Sequence, residues 1–235
     1  MTRPSRLTLT KLLRIILLVV IVGIGSYQSQ QLRYEQQPDV AGTRQTINSS
    51  DAATALQQIE IKGRAPKTGY SRELFSSSWG VIQNCDVRNY VLARDLMDIS
   101  LVPGTCLVGS GTLYDPYTSS TVLFIRGPET SDDVQIDHVV SLSDAWQKGA
   151  QQLTPQERYS FANDPLNLLA VQGAANQAKG DGDAATWLPA NKQYRCSYVA
   201  RQIAVKTKYQ LWVTQSEYDA MAKLLRECPN QSLPQ

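Results

Sequence analysis

The chain holds a single histidine, His138, and it follows directly on an acid, Asp137. Asn167 lies 29 residues on, Asn176 nine further, and Lys179 three beyond that. An imidazole has a reference pKa of about 6.5, so it is able to be neutral and accept a proton at physiological pH. Carboxylate and carboxamide oxygens are hard donors of the kind Mg²⁺ and Mn²⁺ favour. A lone histidine is a poor clue by itself; its setting raises the odds. Residues 134–140 (VQIDHVV) form a short apolar run broken in its middle by the acid and the histidine. Residues 166–171 (LNLLAV) are long enough only for a strand, and residues 173–179 (GAANQAK) open a helix immediately after it. The predicted order is strand, strand, helix, with His138 at the end of the first strand, Asn167 inside the second, and Asn176 and Lys179 on the helix.

Other elements must frame this unit. Residues 86–97 (DVRNYVLARDLM) begin with a capping Asp and repeat Val87, Val91, Leu92 and Leu96 as one face of a helix. Residues 107–114 and 121–126 flank the turn-forming stretch Asp115-Pro116-Tyr117-Thr118-Ser119, which predicts a β-hairpin. Ser141 with Asp144, and Thr154-Pro155-Gln156-Glu157, mark two helix starts after the histidine. Helical patterns then run through residues 191–209 and, from a Thr214/Glu217 capping box, to Pro229. Asp181 and Asp183 of the GDGD stretch read as a turn and a cap in preference to a second metal site. Tyr114, Tyr117, Trp146 and Trp187 read as packing residues in preference to stacking platforms for bases.

With 42% apolar and 19% charged residues, 235 residues make one ordinary globular domain with appendages and exclude collagen, coiled coil and a wholly disordered chain. The net charge is +2, but Arg3, Arg6, Lys11 and Arg14 all precede the first acid, Glu35, and leave 19 basic against 21 acidic residues behind them. The body therefore lacks the broad positive field of a nucleic-acid coat protein. The four cations precede an apolar run at residues 15–25, shorter than the roughly 20 residues of a spanning helix, which reads as an export signal, either cleaved or kept as an anchor. Residues 1–25 are thus predicted as signal peptide or membrane anchor, residues 26–50, rich in Gln, Ser and Thr, as a flexible polar linker, and residues 51–235 as the domain. Four cysteines with no Cys-x-x-Cys pair allow three pairings and no zinc ribbon. The nearest-neighbour solution, Cys85 with Cys106 and Cys196 with Cys228, is the expectation, each bridge contributing roughly 3 to 4 kcal/mol in the chain-entropy model.

The motifs IDHVV, NDPLNLLAV and AANQAKGD, in that order within residues 136–189, resemble the three parts of the HNH endonucleases, the ββα-metal or His-Me finger superfamily. More narrowly, RNYVLARDL, YDPYT, DHVVSLSDAW and NQAKGD resemble, over about residues 63–229, an exported actinobacterial subgroup similar to the nuclease part of modified-DNA restriction enzymes. The resemblance implies an α+β fold, with a small ββα-metal core at about residues 134–189 embedded in a mostly helical domain that carries an extra β-hairpin. It implies hydrolysis of DNA phosphodiester bonds, with RNA as a further substrate. His138 is then the general base, Asn167 orients the histidine-bearing loop, and Asp137 and Asn176 ligate one divalent cation, Mg²⁺ or Mn²⁺. Lys179, at the end of the helix, reads equally as a phosphate contact near the metal and as a solvated charge that suits the macrodipole.

Arg88, Arg94 and Arg126 are candidate nucleic-acid contacts, with ion pairs to Asp86 and Asp95 as the plainer reading. Disulfides must supply the support that a structural zinc gives elsewhere in the superfamily. DNA is the expected partner, the membrane a partner only through an uncleaved N-terminus, and no organic cofactor is expected. The expected location is outside the cytoplasm, secreted or tethered to the outer face of the membrane. Two other classes compete. One is a catalytically silent, envelope-tethered binding module of the same fold, which the intact Asp137, His138, Asn167 and Asn176 set disfavours. The other is an unrelated hydrolase pairing His138 with Ser141, which lacks a Gly-x-Ser-x-Gly elbow.

Overall fold

The computed structural model describes residues 51–234, so the predicted signal or anchor and the predicted linker lie outside the described residues. Asp51 caps α1 (Ala52–Leu56) by accepting from the Thr54 amide. A small ribbon of β1 (Val81–Ile82) and β2 (Cys85–Asp86) leads into α2 (Val87–Asp95), whose Asp86 cap accepts from the Asn89 amide at 2.9 Å. This helix stops short of its expected end because Leu96 turns extended, with ψ 147°, and Met97 begins β3 (Met97–Leu101). β3 pairs antiparallel with β4 (Val108–Tyr114), and β4 with β5 (Thr121–Ile125), so the expected hairpin is part of a three-stranded sheet. β3 had no clean alternation to announce it: its pairing slips between Met97 and Ser100, and Asp98 sits at φ 51°.

β6 (Val134–His138) pairs antiparallel with β7 (Leu168–Gln172), His138 opposite Leu168 and Asp137 opposite Leu169. Between these strands, α3 (Leu142–Ala145) starts at the Ser141 cap, and α4 (Pro155–Ala162) starts at a complete Thr154/Glu157 capping box. α5 (Gly173–Lys179) follows β7 with no intervening loop. The strand–strand–helix unit is therefore present within an α+β fold, and α6 (Arg195–Lys208) and α7 (Gln215–Glu227) pack with α1 behind it.

Alternation along the ribbon explains its placement, because successive side chains point to opposite faces. Val134, Ile136, Leu168 and Ala170 pack with Val87, Val91 and Leu92 of α2 and with Leu113 and Phe124 of the sheet. Leu169 and Val171 pack on the other side with Tyr198, Val199 and Ile203 of α6 and Met221 and Leu225 of α7. A third cluster, including Phe75, Val140, Leu142, Trp146 and Phe161, closes the end of the ribbon beyond His138. Both expected disulfides are formed: Cys85–Cys106 ties the start of α2 to the β3–β4 loop, and Cys196–Cys228 ties the first turn of α6 to the end of α7.

The join between β7 and α5 is tight. A Cβ added at Gly173 would lie 2.0 Å from the Asp132 carbonyl oxygen, a backbone atom with little freedom to move. Gly173→Ala is expected to destabilise the domain by about 1–3 kcal/mol in chemical denaturation. Gly63→Ala, where nothing lies within 4 Å of the added carbon, is expected to change stability by less than about 0.5 kcal/mol.

Candidate active site

His138 ends β6, and its side chain lines a cleft of about 280 Å³ together with Arg72, Ser76, Ser77, Ser78, Trp79, Leu142, Ala162 and Asn163. Nε2 lies 2.9 Å from the Ala162 carbonyl oxygen at the end of α4. A carbonyl only accepts, so this contact assigns the proton to Nε2 and the free lone pair to Nδ1. The Trp79 indole lies at 9° to the imidazole plane, with 6.2 Å between ring centroids. Burial, aided by the charges of Arg72 and Lys179 and opposed by the Ala162 bond, drives the His138 pKa from 6.5 down to about 3. The ring is therefore neutral across the physiological range.

Asn167, expected inside the second strand, instead immediately precedes β7 and is fully buried. Its Oδ1 accepts from the Val140 amide at 2.8 Å, its Nδ2 donates to the Val140 carbonyl at 3.2 Å, and its own carbonyl accepts from the Val139 amide at 2.8 Å. A carboxamide offers the same donor and acceptor as a peptide group, so this side chain prolongs the ladder beyond the last paired strand residue. The chain leaving His138 is thereby fixed. The opposite wall of the cleft is held at both ends. Phe75 is buried against Trp146 and Phe161, and the Gly80 amide donates to Asn163 Oδ1 at 2.7 Å.

One residue before the histidine, the strand turns its side chain to the other face. Asp137 Oδ1 accepts from Lys179 Nζ at 2.9 Å, and Oδ2 accepts from the Tyr117 hydroxyl at 2.5 Å. Lys179 Nζ also donates to the His138 carbonyl at 2.9 Å, and its side chain is 0% exposed. Burial raises the Asp137 pKa, while Lys179 and Tyr117 pull it back down. Asn176 donates from Nδ2 to Gln135 Oε1 at 2.9 Å.

The expectation that Asp137 and Asn176 share a cation beside His138 is corrected on two counts. Asp137 faces away from the imidazole, and the two oxygens that do converge, Asp137 Oδ1 and the His138 carbonyl, already hold an ammonium. Among the described residues no group of three or more His, Cys, Asp or Glu side chains is arranged to hold a metal ion. As arranged, this donor set does not fit Mg²⁺ or Mn²⁺ unless Lys179 is displaced. Lys179 is likewise corrected from a phosphate contact to a buried partner of the strand.

The three arginines expected at nucleic acid are engaged elsewhere. Arg88 donates to the carbonyls of Ser131 and Val134, both at 3.2 Å. Arg94 pairs with Asp95 at 2.6 Å and reaches the carbonyls of Pro165 and Leu168. Arg126 holds the Val108 carbonyl at 2.8 Å and Asn89 Oδ1. Each joins separate segments of backbone, and none lines the cleft. The cleft residues Arg72 and Trp79 carry no periodic or motif signal that links them to a histidine so far along the chain.

Asp183 of the GDGD stretch belongs to a buried ionic cluster. Lys148 Nζ meets Asp144, Asp183 and Glu217 at 2.7, 2.7 and 2.6 Å. Lys206 meets Asp144 and Glu217, and Arg64 meets Asp144 and Asp183. Burial pushes the Asp183 carboxyl up, but Lys148 and Arg64 outweigh it and hold its pKa at about 2. Glu217 lies at the third position of the α7 cap motif, where Thr214 accepts from its amide, yet its carboxylate turns inward to the lysines. Tyr117 and Trp187 stack edge-on with Tyr198 in the core, as packing residues.

Removing one partner of a buried ion pair strands the other charge, so Lys179→Met is expected to cost about 3–5 kcal/mol in urea denaturation. The Lys179→Met/Asp137→Asn double variant should recover part of that loss. A second expectation concerns pH. The folded pKa of His138, about 3, lies below the unfolded value near 6.5, so the unfolded chain binds the extra proton between them. This contribution to stability is complete above pH 6.5 and is lost as pH falls, at roughly 1 kcal/mol per pH unit within that window. Denaturation of wild type and His138→Gln at pH 7 and pH 5 checks it: the variant should show the smaller decline.

Residues 86–224 match the model of the family described as GmrSD restriction endonucleases, C-terminal domain. The match takes in the whole ribbon and finger helix with His138, Asn167 and Asn176, whereas the cleft wall at residues 72–79 precedes it. The chain is also 38% identical over 183 residues to an uncharacterized secreted protein from Arthroderma benhamiae, a span covering 77% of this chain and 86% of that one. No solved structure matches the chain. The His138 ribbon, the helix that follows it and a match across more than half of the sequence lead to one assignment: the chain belongs to the family of GmrSD restriction endonuclease C-terminal domains.

Proposed function

We propose that this protein is an exported endonuclease that hydrolyses phosphodiester bonds of DNA, with RNA as a further substrate, and that His138 is its general base. One observation carries the assignment: Nε2 is tied to the Ala162 carbonyl, which leaves Nδ1 as the basic atom of a neutral imidazole lining the cleft. In-line attack on a phosphodiester requires water to lose a proton as it attacks, charge to be stabilised on the non-bridging oxygens, and the departing 3′ oxygen to be neutralised. Nδ1 serves the first need. With the cleft empty it is a weak base, because burial holds the pKa near 3. An anionic phosphate beside the ring favours the imidazolium, so basicity rises when substrate arrives. Asn167 acts through the histidine as a positioning residue, by fixing the chain at Val139 and Val140.

Family membership supports the nuclease chemistry. Two disulfides and the secreted relative support export, since such bridges persist in oxidising compartments. In this reading residues 51–235 are the nuclease domain, with its core at about 134–189. A Mg²⁺ or Mn²⁺ requirement belongs to the reading through the resemblance, and no step above runs through the ion. The ammonium seated on Asp137 favours one alternative, a catalytically silent, envelope-tethered binding module of the same fold.

The oxidised full chain, incubated with supercoiled DNA, single-stranded DNA and RNA in Mg²⁺, Mn²⁺ or EDTA, separates the two. Cleavage by wild type is expected to fall at least about 100-fold in His138→Ala, the lower end of what a general base contributes. Loss under EDTA establishes the cation requirement, and persistence under EDTA removes it. Wild type and His138→Ala equally inert on every substrate would overturn the nuclease in favour of the binding module.

A further inference from the structure

The geometry points to the cleft wall at residues 72–79 as a subsite for single-stranded polynucleotide, with Arg72 on a phosphate and Trp79 stacked on a base. This rests on the nuclease reading and adds the physical form of the substrate to it.

Arg72 is exposed on the cleft that His138 lines, and among the described residues its guanidinium has no hydrogen-bond or ion-pair partner. Arg64, Arg88, Arg94, Arg126, Arg158 and Arg195 all donate to carboxylates or to carbonyls, and Arg201 and Arg226, which show no partner among the described residues, do not line the cleft. A planar fork of donors free to meet a phosphate is what anion recognition requires. Arg72 and His138 line the same cleft, so an anion held by Arg72 lies on the side of the cleft that faces the imidazole.

Trp79 supplies the second element. It is half-buried and lines the cleft, with the hydroxyl-bearing residues Ser76, Ser77 and Ser78 before it in the chain. Base stacking on an aromatic face is sequence-tolerant and needs a base that is out of its duplex. A duplex brings phosphates to a surface arginine but keeps its bases stacked inside, so it has nothing to place against Trp79. The volume of about 280 Å³ is at the lower end of small-ligand pockets, which hold roughly 300 Å³ or more. It suits one nucleotide unit of a strand threaded past the histidine. The charge balance behind the N-terminal cations, 19 basic against 21 acidic residues, gives a duplex backbone no broad positive field, which leaves affinity to a few local contacts. The wall is also preformed, since Phe75 and Gly80 anchor it on either side of Ser76–Trp79 and Arg158 donates to the Leu74 carbonyl at 3.1 Å.

Fluorescence anisotropy with the full chain carrying His138→Ala reads binding without cleavage. A labelled single strand should bind at least about 10-fold more tightly than its duplex, the size of one stacked base. In that background Trp79→Ala is expected to remove this preference and Trp79→Phe to restore most of it. Arg72→Ala should weaken single-strand binding and flatten its dependence on log salt by about 0.7, one phosphate contact, while Arg72→Lys keeps the slope. Equal affinity for the two forms, or unchanged affinity in folded Trp79→Ala and Arg72→Ala, would overturn the subsite. Cleavage by otherwise wild-type chains separates the two readings. Cleavage indifferent to Arg72 and Trp79 removes the subsite and leaves the nuclease; strand binding that needs both, in a chain that cuts nothing, leaves the subsite and removes the nuclease.

Discussion

The buried pair of Lys179 and Asp137 fixes the arrangement on which the rest of the site depends. Two charges leave water to form it, and their desolvation is offset by their mutual attraction and by the further hydrogen bonds each makes. Asp137 takes one bond from Lys179 and one from Tyr117, and the ammonium takes a second acceptor in the His138 carbonyl. Three segments are joined at that point: α5, the β6–β7 ribbon, and the turn between β4 and β5. From the far side Gln202 donates to the Val139 carbonyl at 3.0 Å. With its backbone held on one face and its ring held by Ala162 on the other, the imidazole has little freedom of orientation.

The six-membered ionic cluster does comparable work away from the cleft. Its three anions and three cations balance, and they come from the stretch before β1, α3 and the segment after it, the GDGD turn and the two C-terminal helices. Lys148 and Lys206 are completely buried and each meets at least two carboxylates. Such a cluster is a demanding way to join helices, because losing one member leaves a charge without a counterpart in a medium that solvates it poorly. It makes the packing of α6 and α7 specific in a way that apolar contact alone would not.

Much of this fold was legible. Caps at Asp86, Ser141 and Thr154 mark real helix starts, the turn at Asp115–Ser119 separates paired strands, and both disulfides join the nearest cysteines. What failed to show has physical causes. A capping-box pattern at Thr214 and Glu217 is local, whereas the destination of the Glu217 carboxylate depends on lysines 11 and 69 positions away. β3 is bulged and fully exposed, so it lacks both alternation and apolar burial as signals. The divergence of Asp137 and His138 could have been foreseen from the period of two along a strand. Motif order brought them together as a pair of functional residues, while the backbone turns them to opposite faces. Arg72 and Trp79 reach the cleft by long-range packing, which no local pattern records.

The wall and the finger are built from separate stretches of chain, residues 72–79 and 134–179, and the bond from Gly80 to Asn163 joins their borders. The hydrogen bonds that set the tautomer of His138 and the path of the chain beyond it come from Ala162 and Asn167, on the finger side. Substitutions at Ser76, Ser77 or Ser78 therefore alter the shape and polarity of the opening without touching the groups that orient the base. The two halves are free to evolve at different rates, so that descendants of one ancestral catalyst could diverge in what they accept while the reacting geometry stays fixed.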